Sequence, residues 1–169
     1  MGIILRVSSR KRILFLIAHE GFNDRELLDP KAILEERGIE VVIASTLAGE
    51  CHGMGGTKVM ASLAIDDVKP EEYDGIVVVG GLGAKLYLSD NEKVHALLRS
   101  FHKAEKLVAA IGRGRHALSE VGLFGENFSY GPKVEIRGHV IAARPPATTP
   151  GWTSKDFGRL LADHLLGSF

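Results

Sequence analysis

Leu107-Val108-Ala109-Ala110-Ile111 runs straight into Gly112-Arg113-Gly114-Arg115, and an amphipathic pattern follows at once. The five apolar residues have strand length and no polar alternation, which marks a strand covered on both faces. The glycines mark a sharp turn, and Ala117, Leu118 and Val121 then recur at helical spacing until Gly122. Strand, tight glycine turn and helix form the repeating unit of a parallel α/β sheet.

The same unit recurs on either side. Arg12–Ala18, Val41–Ala44 and Gly75–Val79 are further unbroken apolar runs. Asp24 is expected to cap a helix over Arg25–Glu36, closed by Gly38, with Pro30 bending or interrupting it. A second helix follows Ser89-Asp90-Asn91-Glu92 and carries Val94, Leu97, Leu98 and Phe101 on one face. The last begins after Ser154, with Phe157, Leu160, Leu161, His164 and Leu165 as its stripe. Glu50–Val59 is glycine-rich and reads as a loop or hairpin. Val134–Ile136 and His139–Ile141 flank Arg137-Gly138, a two-residue hairpin turn. The expected architecture is α/β, a single-domain, doubly wound, mostly parallel sheet of flavodoxin-like kind, over residues 12–169 with an N-terminal extension at 1–11.

Composition narrows the function classes. The 169 residues are 45% hydrophobic and 25% charged, the balance of a globular chain able to bury a core without metal or disulfide. Lys plus Arg and Asp plus Glu both number 21, so nucleic acid and acidic membrane surfaces are not expected partners. No apolar run is long enough to span a bilayer. The apolar patch at Ile3–Leu5 precedes Arg10-Lys11-Arg12, the reverse of a secretory signal, so a cytoplasmic location is expected.

Ligands of such sheets meet the carboxyl ends of the strands. Four segments qualify: His19–Glu26, Gly80-Gly81-Leu82-Gly83, Gly112–Arg115, and Arg144-Pro145-Pro146. The Gly112 turn has the form of a nucleophile elbow, but glycine has no side chain to attack with.

In this order the segments resemble the ThiJ/PfpI family of intracellular-protease-like proteins, within the class I glutamine amidotransferase-like superfamily. The resemblance rests on Ile13–Leu16, Glu26-Leu27-Leu28-Asp29-Pro30, Gly38–Ser45, Val68–Gly81, Asn91-Glu92-Lys93, Leu107–Gly125, and Val140–Arg144 with the final helix. It implies peptidase or glyoxalase/deglycase-type chemistry, and relatives that form dimers or larger rings. The family's elbow typically reads Cys-His-Gly; the matching residues here are Gly112, Arg113 and Gly114. The glutamate that completes the triad in related peptidases matches Lys85. The carboxylate that commonly contacts the cysteine matches Glu26, and the Gly80-Gly81 turn, whose amides can face an oxyanion, is kept. Gly125–Pro132 is about twenty residues shorter than the family's pattern.

These residues define the expectations. Covalent catalysis needs an attacking atom, which Gly112 lacks. Cys51-His52-Gly53 imitates the elbow in letters, but no apolar strand precedes it, so Cys51 reads as an incidental loop cysteine. The first expectation is therefore a non-catalytic protein that binds a small anionic ligand through Gly80, Gly81, Arg113 and Arg144, or serves assembly. The alternative is an enzyme of non-standard mechanism with Glu26 as general base. Arg115 reads either as part of the anion site or as a solvated surface residue, and Arg113 either as a ligand group or as the neutralising partner of Glu26. No His-Glu-x-x-His spacing occurs, and Gly80–Gly83 is only a fragment of a dinucleotide fingerprint. Neither a metal nor a cofactor is expected. A homo-oligomer is expected, with Leu82, Leu86, Tyr87 and Leu88 as contact residues.

Overall fold

A computed structural model describes residues 10–125 and 132–167. Most of the N-terminal extension, and the segment whose shortness the sequence suggests, lie outside the described residues.

The chain runs β1 (Arg12–Leu16), β2 (Glu20–Phe22), α1 (Asp24–Glu36), β3 (Glu40–Ser45), β4 (Gly49–Gly53), β5 (Lys58–Ala61) and β6 (Leu63–Ala64). It continues with β7 (Gly75–Val78), α2 (Glu92–Lys103), β8 (Leu107–Ile111), α3 (Arg115–Glu120), β9 (Val134–Arg137), β10 (Val140–Ala143) and α4 (Ser154–Leu166). Seven strands form one sheet in the order β6-β3-β1-β7-β8-β10-β9, parallel except for β9 against β10. The α/β expectation therefore holds. β1, β7 and β8 are covered on both faces, which is why their sequences lack alternation. Leu14, Leu16, Ile76, Val78, Val108 and Ala110 face one core with α2, while Ile13, Phe15, Val77, Ala109 and Ile111 face another with α1 and α4.

Chain order runs outward from β1 to β3 on one side and from β7 to β8 on the other. The switch point thus lies between β1 and β7, at whose carboxyl ends the Glu26, Gly80 and Gly112 turns converge.

Several local expectations need correction. Asn23, not Asp24, caps α1, accepting from the Glu26 amide at 3.1 Å. Asp24 instead accepts from the Gly55 and Thr57 amides at 2.8 and 3.0 Å, tying α1 to the β4–β5 turn. Pro30 does not end α1; the helix continues through it to Glu36. A side chain at Gly158 of α4 would come within 2.8 Å of the Pro30 backbone, so the two helices pack at close range there. The β9–β10 turn is Gly138-His139, with Arg137 still paired to Val140, and Gly138 carries the positive φ of 63°. The Glu50–Val59 region is a hairpin, and β2 joins it in a three-stranded sheet that the sequence pattern does not announce.

α4 starts with a capping box: Thr153 accepts from the Asp156 amide at 3.0 Å and Asp156 accepts from the Thr153 amide at 3.0 Å. Thr153→Ala removes one half of it and is expected to cost about 1 kcal/mol in urea unfolding.

Candidate active site at the strand ends

Gly112 follows β8 with φ +57°, a left-handed backbone that side chains adopt only under strain. The elbow geometry is thus present with glycine at its apex. A Cβ built there would lie 2.8 Å from both carboxylate oxygens of Glu26, and one built at Gly80 would lie 2.2 Å from Glu26 Oε1. The Glu26 carboxyl is therefore seated between the ends of β7 and β8, in the space that side chains at 80 and 112 would claim. It is 3% exposed, and its Oε1 has no hydrogen-bond partner among the described residues.

Burial pushes the Glu26 carboxyl up from its ordinary 4.5 to about 7. The nearby Gly80 amide and the charges of Arg115 and Arg113 offset part of that rise. A group that titrates near neutrality can hold or release a proton with little driving force either way.

The two arginines of the turn differ in burial. Arg115 is not a solvated surface residue. It is 4% exposed, donates from Nε to the Gly112 carbonyl at 2.8 Å, and lies over the Phe124 ring at 5.5 Å. Burial and the charge of Arg144 lower its pKa, with Glu26 and Glu135 opposing. Arg113 is exposed, and no ion pair joins it to Glu26 among the described residues; it acts on the carboxyl only through space. Burial, then Lys85, Arg115 and Arg113, hold His116 below its ordinary pKa. The elbow is accordingly surrounded by cations, with Arg144 half-buried at the end of β10.

Gly80 and Gly81 are taken up by the fold. The Gly80 carbonyl accepts from the Asn23 amide at 2.9 Å, and a Cβ at Gly81 would strike the Asn23 nitrogen and the Gly21 oxygen at 2.5 Å. Gly81 has φ +106°, so the turn needs glycine for its backbone as well as for space.

Cys51 is not a loop residue. It lies in β4 paired with Val59, is 1% exposed, and packs into the core shared with Ala61. Burial raises its thiol pKa, only partly offset by Ser45 and Ala61. His52 turns to the other face of the strand, where it meets Glu50 at 2.7 Å and Glu20 at 3.4 Å, so the two are no dyad. Cys51 in the folded protein is expected to react with an aromatic disulfide reagent on the order of 100-fold more slowly than in urea. Equal rates would place the thiol outside the core.

No group of three or more metal-ligating residues occurs among the described residues. The histidines have other partners: His102 Nδ1 meets His139 Nε2 at 2.8 Å, and His95 Nε2 meets the Ser89 carbonyl at 2.6 Å. No described helix is long and apolar enough to cross a membrane.

A mostly parallel, doubly wound sheet with a glycine turn after β8, beside the switch point, defines a flavodoxin-like α/β protein. The chain belongs to the DJ-1/PfpI family, whose model matches residues 11–144. It is 33% identical to a deglycase from Pyrococcus horikoshii over 89% of this chain and 99% of that one. An uncharacterized protein from Methanocaldococcus jannaschii is 40% identical over 66% of this chain, which spans about half (55%) of that relative's length. The fold matches the crystal structure of a ThiJ/PfpI domain protein from Brachyspira murdochii with TM-score 0.84, at 24% identity, over 96% of this chain and 99% of that one.

Proposed function

We propose that this chain is a DJ-1/PfpI member that performs no covalent catalysis at its elbow and binds a small anionic molecule at the strand ends. The observation that carries the reading is the pairing of Gly112 with Glu26. The apex offers no thiol or hydroxyl, and the carboxyl lies 2.8 Å from where a side chain would begin. The resemblance adds that Arg113 stands where the family has histidine, and Lys85 where related peptidases have glutamate. The cations around the elbow, Arg113, Arg115, Arg144 and Lys85, favour an anion by charge.

The test is turnover of a dicarbonyl, a glycated amino acid and a peptide by pure protein, with phosphate binding followed by calorimetry. Turnover is expected at background, and Arg113→Ala is expected to weaken phosphate about three- to tenfold. Turnover that Glu26→Gln abolishes overturns the reading.

That outcome belongs to a second reading, a hydrolase or lyase using Glu26 as general acid–base. The carboxyl's pKa of about 7 and the deglycase relative favour it. It requires activity that thiol reagents leave intact and that changes through neutral pH.

A homo-oligomer in the cytoplasm completes the proposal. Leu82, Leu86 and Tyr87 are exposed beside the elbow, whereas Leu88 is fully buried and drops out of the expected contact set. Solution mass tests it.

A further inference from the structure

β9 (Val134–Arg137) is the last strand of the seven-stranded sheet, and among the described residues its outer edge pairs with no other strand. The register fixes what that edge presents. The Arg144 amide donates to the Lys133 carbonyl at 2.8 Å, while Glu135 and Arg137 stand opposite Ala142 and Val140. Hydrogen-bonded pairs alternate along an antiparallel ladder, so Lys133, Glu135 and Arg137 turn their N–H and C=O groups inward to β10. Val134 and Ile136 turn theirs outward. The far side of β10 agrees: the His139 carbonyl accepts from the Val108 amide of β8 at 2.9 Å, which leaves Val140 and Ala142 to face β9.

The side chains sort by the same alternation. Glu135 and Arg137 lie on one face of the strand, Val134 and Ile136 on the other. Val134 packs on the core shared with Phe157, whereas Ile136 is 52% exposed. Glu135 Oε2 and Arg137 Nη2 are 3.7 Å apart, too far for a hydrogen bond, so neither is saturated by the other. Edges are commonly guarded by lysines, a proline or a bulge. β9 has instead one charge of each sign, two residues apart, and no proline within it.

We infer that two copies of this chain pair through β9, antiparallel about a two-fold axis at Ile136, so that their two sheets become one. This register suits both backbone and charge. With Ile136 opposite the partner subunit's Ile136, their outward N–H and C=O groups meet as a hydrogen-bonded pair. Glu135 then faces the partner subunit's Arg137, and the reverse, at the non-bonded positions where side chains approach closest. An axis at Glu135 or Arg137 sets like charges opposite each other and brings inward-turned backbone to the seam. An axis at Val134 sets Ile136 against the partner subunit's Pro132, which has no N–H to donate. A four-residue strand buries less than a standard interface, so the dimer is a reversible one. The inference rests on the homo-oligomer proposed above for there being a dimer to observe, and it places the contact at a surface other than Leu82, Leu86 and Tyr87.

Sedimentation of the wild-type protein is expected to show a rise from one chain to two between about 1 and 100 μM. Arg137→Glu and Glu135→Lys each set like charges across the axis, and each alone is expected to weaken the dimer about tenfold. Mixed together, the two variants face opposite charges at both contacts. The mixture is expected to recover a dimer holding one copy of each, which a variant that merely misfolds cannot do. Ile136→Cys is expected to cross-link across the axis with diamide, because hydrogen-bonded antiparallel pairs hold their Cα atoms about 5.5 Å apart, within disulfide range. Met60→Cys, also exposed but on β5, is expected not to, and Cys51 stays buried in both. A single chain at every concentration overturns both this inference and the homo-oligomer. A dimer that neither charge variant weakens, a mixture that recovers nothing, or equal cross-linking at position 60 overturns the β9 contact and leaves the homo-oligomer standing.

Discussion

Gly112→Cys, which gives the elbow the thiol its family resemblance suggests, is expected to lower folding stability by about 2–4 kcal/mol. Two costs combine. A side chain at φ +57° is strained wherever it is placed, and the new Cβ arrives 2.8 Å from both oxygens of Glu26. The carboxyl has little freedom to retreat, because Gly80 closes its other side so tightly that a Cβ there would stand 2.2 Å from Oε1. Urea unfolding measures the total. Gly112→Ala is expected to cost nearly as much, since the first side-chain atom makes the contact. The double variant Gly112→Ala/Glu26→Ala separates the two costs: relief of the contact leaves only backbone strain, about 1–2 kcal/mol. If the Ala and Cys variants match the wild type, Glu26 does not occupy the space described. The added thiol is expected to react faster than Cys51 yet support no turnover, since Arg113 is too basic to serve as the neighbouring proton acceptor.

What is legible in the sequence, and what is hidden, follows from how each feature is encoded. β1, β3, β7 and β8 are unbroken apolar runs, and two-sided burial leaves that signature on any short strand. The three-stranded sheet of β2, β4 and β5 is hidden because β2 is three residues long, β4 is glycine-rich and β5 is only four residues long. Its order comes from long-range ties such as Asp24 to the Gly55 and Thr57 amides. Cys51 reads as a loop residue for the same reason: one buried residue in Gly-Glu-Cys-His-Gly carries no periodic signal. Arg113 and Arg115 look equivalent in sequence. Only the turn of the new helix decides that Arg115 folds back on the Gly112 carbonyl while Arg113 stays in solvent. The resemblance singles out Glu26, but its packing against Gly80 and Gly112 joins residues far apart in the chain, and an absent Cβ leaves no local signal of what fills its place. Pro30 reads as a bend or an interruption of α1; the helix is not interrupted, and Pro30 is buried against α4 at Gly158.

That packing makes Glu26 a pH-dependent burden on the fold. In the unfolded chain its carboxyl loses its proton near 4.5; in the native protein it keeps the proton to about 7, because burial penalises the charged form. Between those values the native state binds more protons than the unfolded state, so this group lowers stability as pH rises. The loss is complete above about pH 7 and amounts to roughly 3 kcal/mol, since each tenfold difference in proton affinity between the two states is worth about 1.4 kcal/mol. Glu26→Gln cannot ionise and is expected to remove this slope. Its buried amide costs about 1 kcal/mol if it finds no acceptor, but that cost is the same at every pH, so the slope is the diagnostic quantity. Urea unfolding of both proteins at pH 5 and pH 8 is expected to show the wild type losing about 2–3 kcal/mol more than the variant over that interval. Parallel losses would mean that Glu26 is charged in the fold throughout, with Arg113 and Arg115 outweighing its burial. Arg113→Ala makes the same argument from the other side. Removing one of the charges that hold the carboxyl down moves the titration to higher pH, and the direction of that movement identifies Glu26 as the group observed.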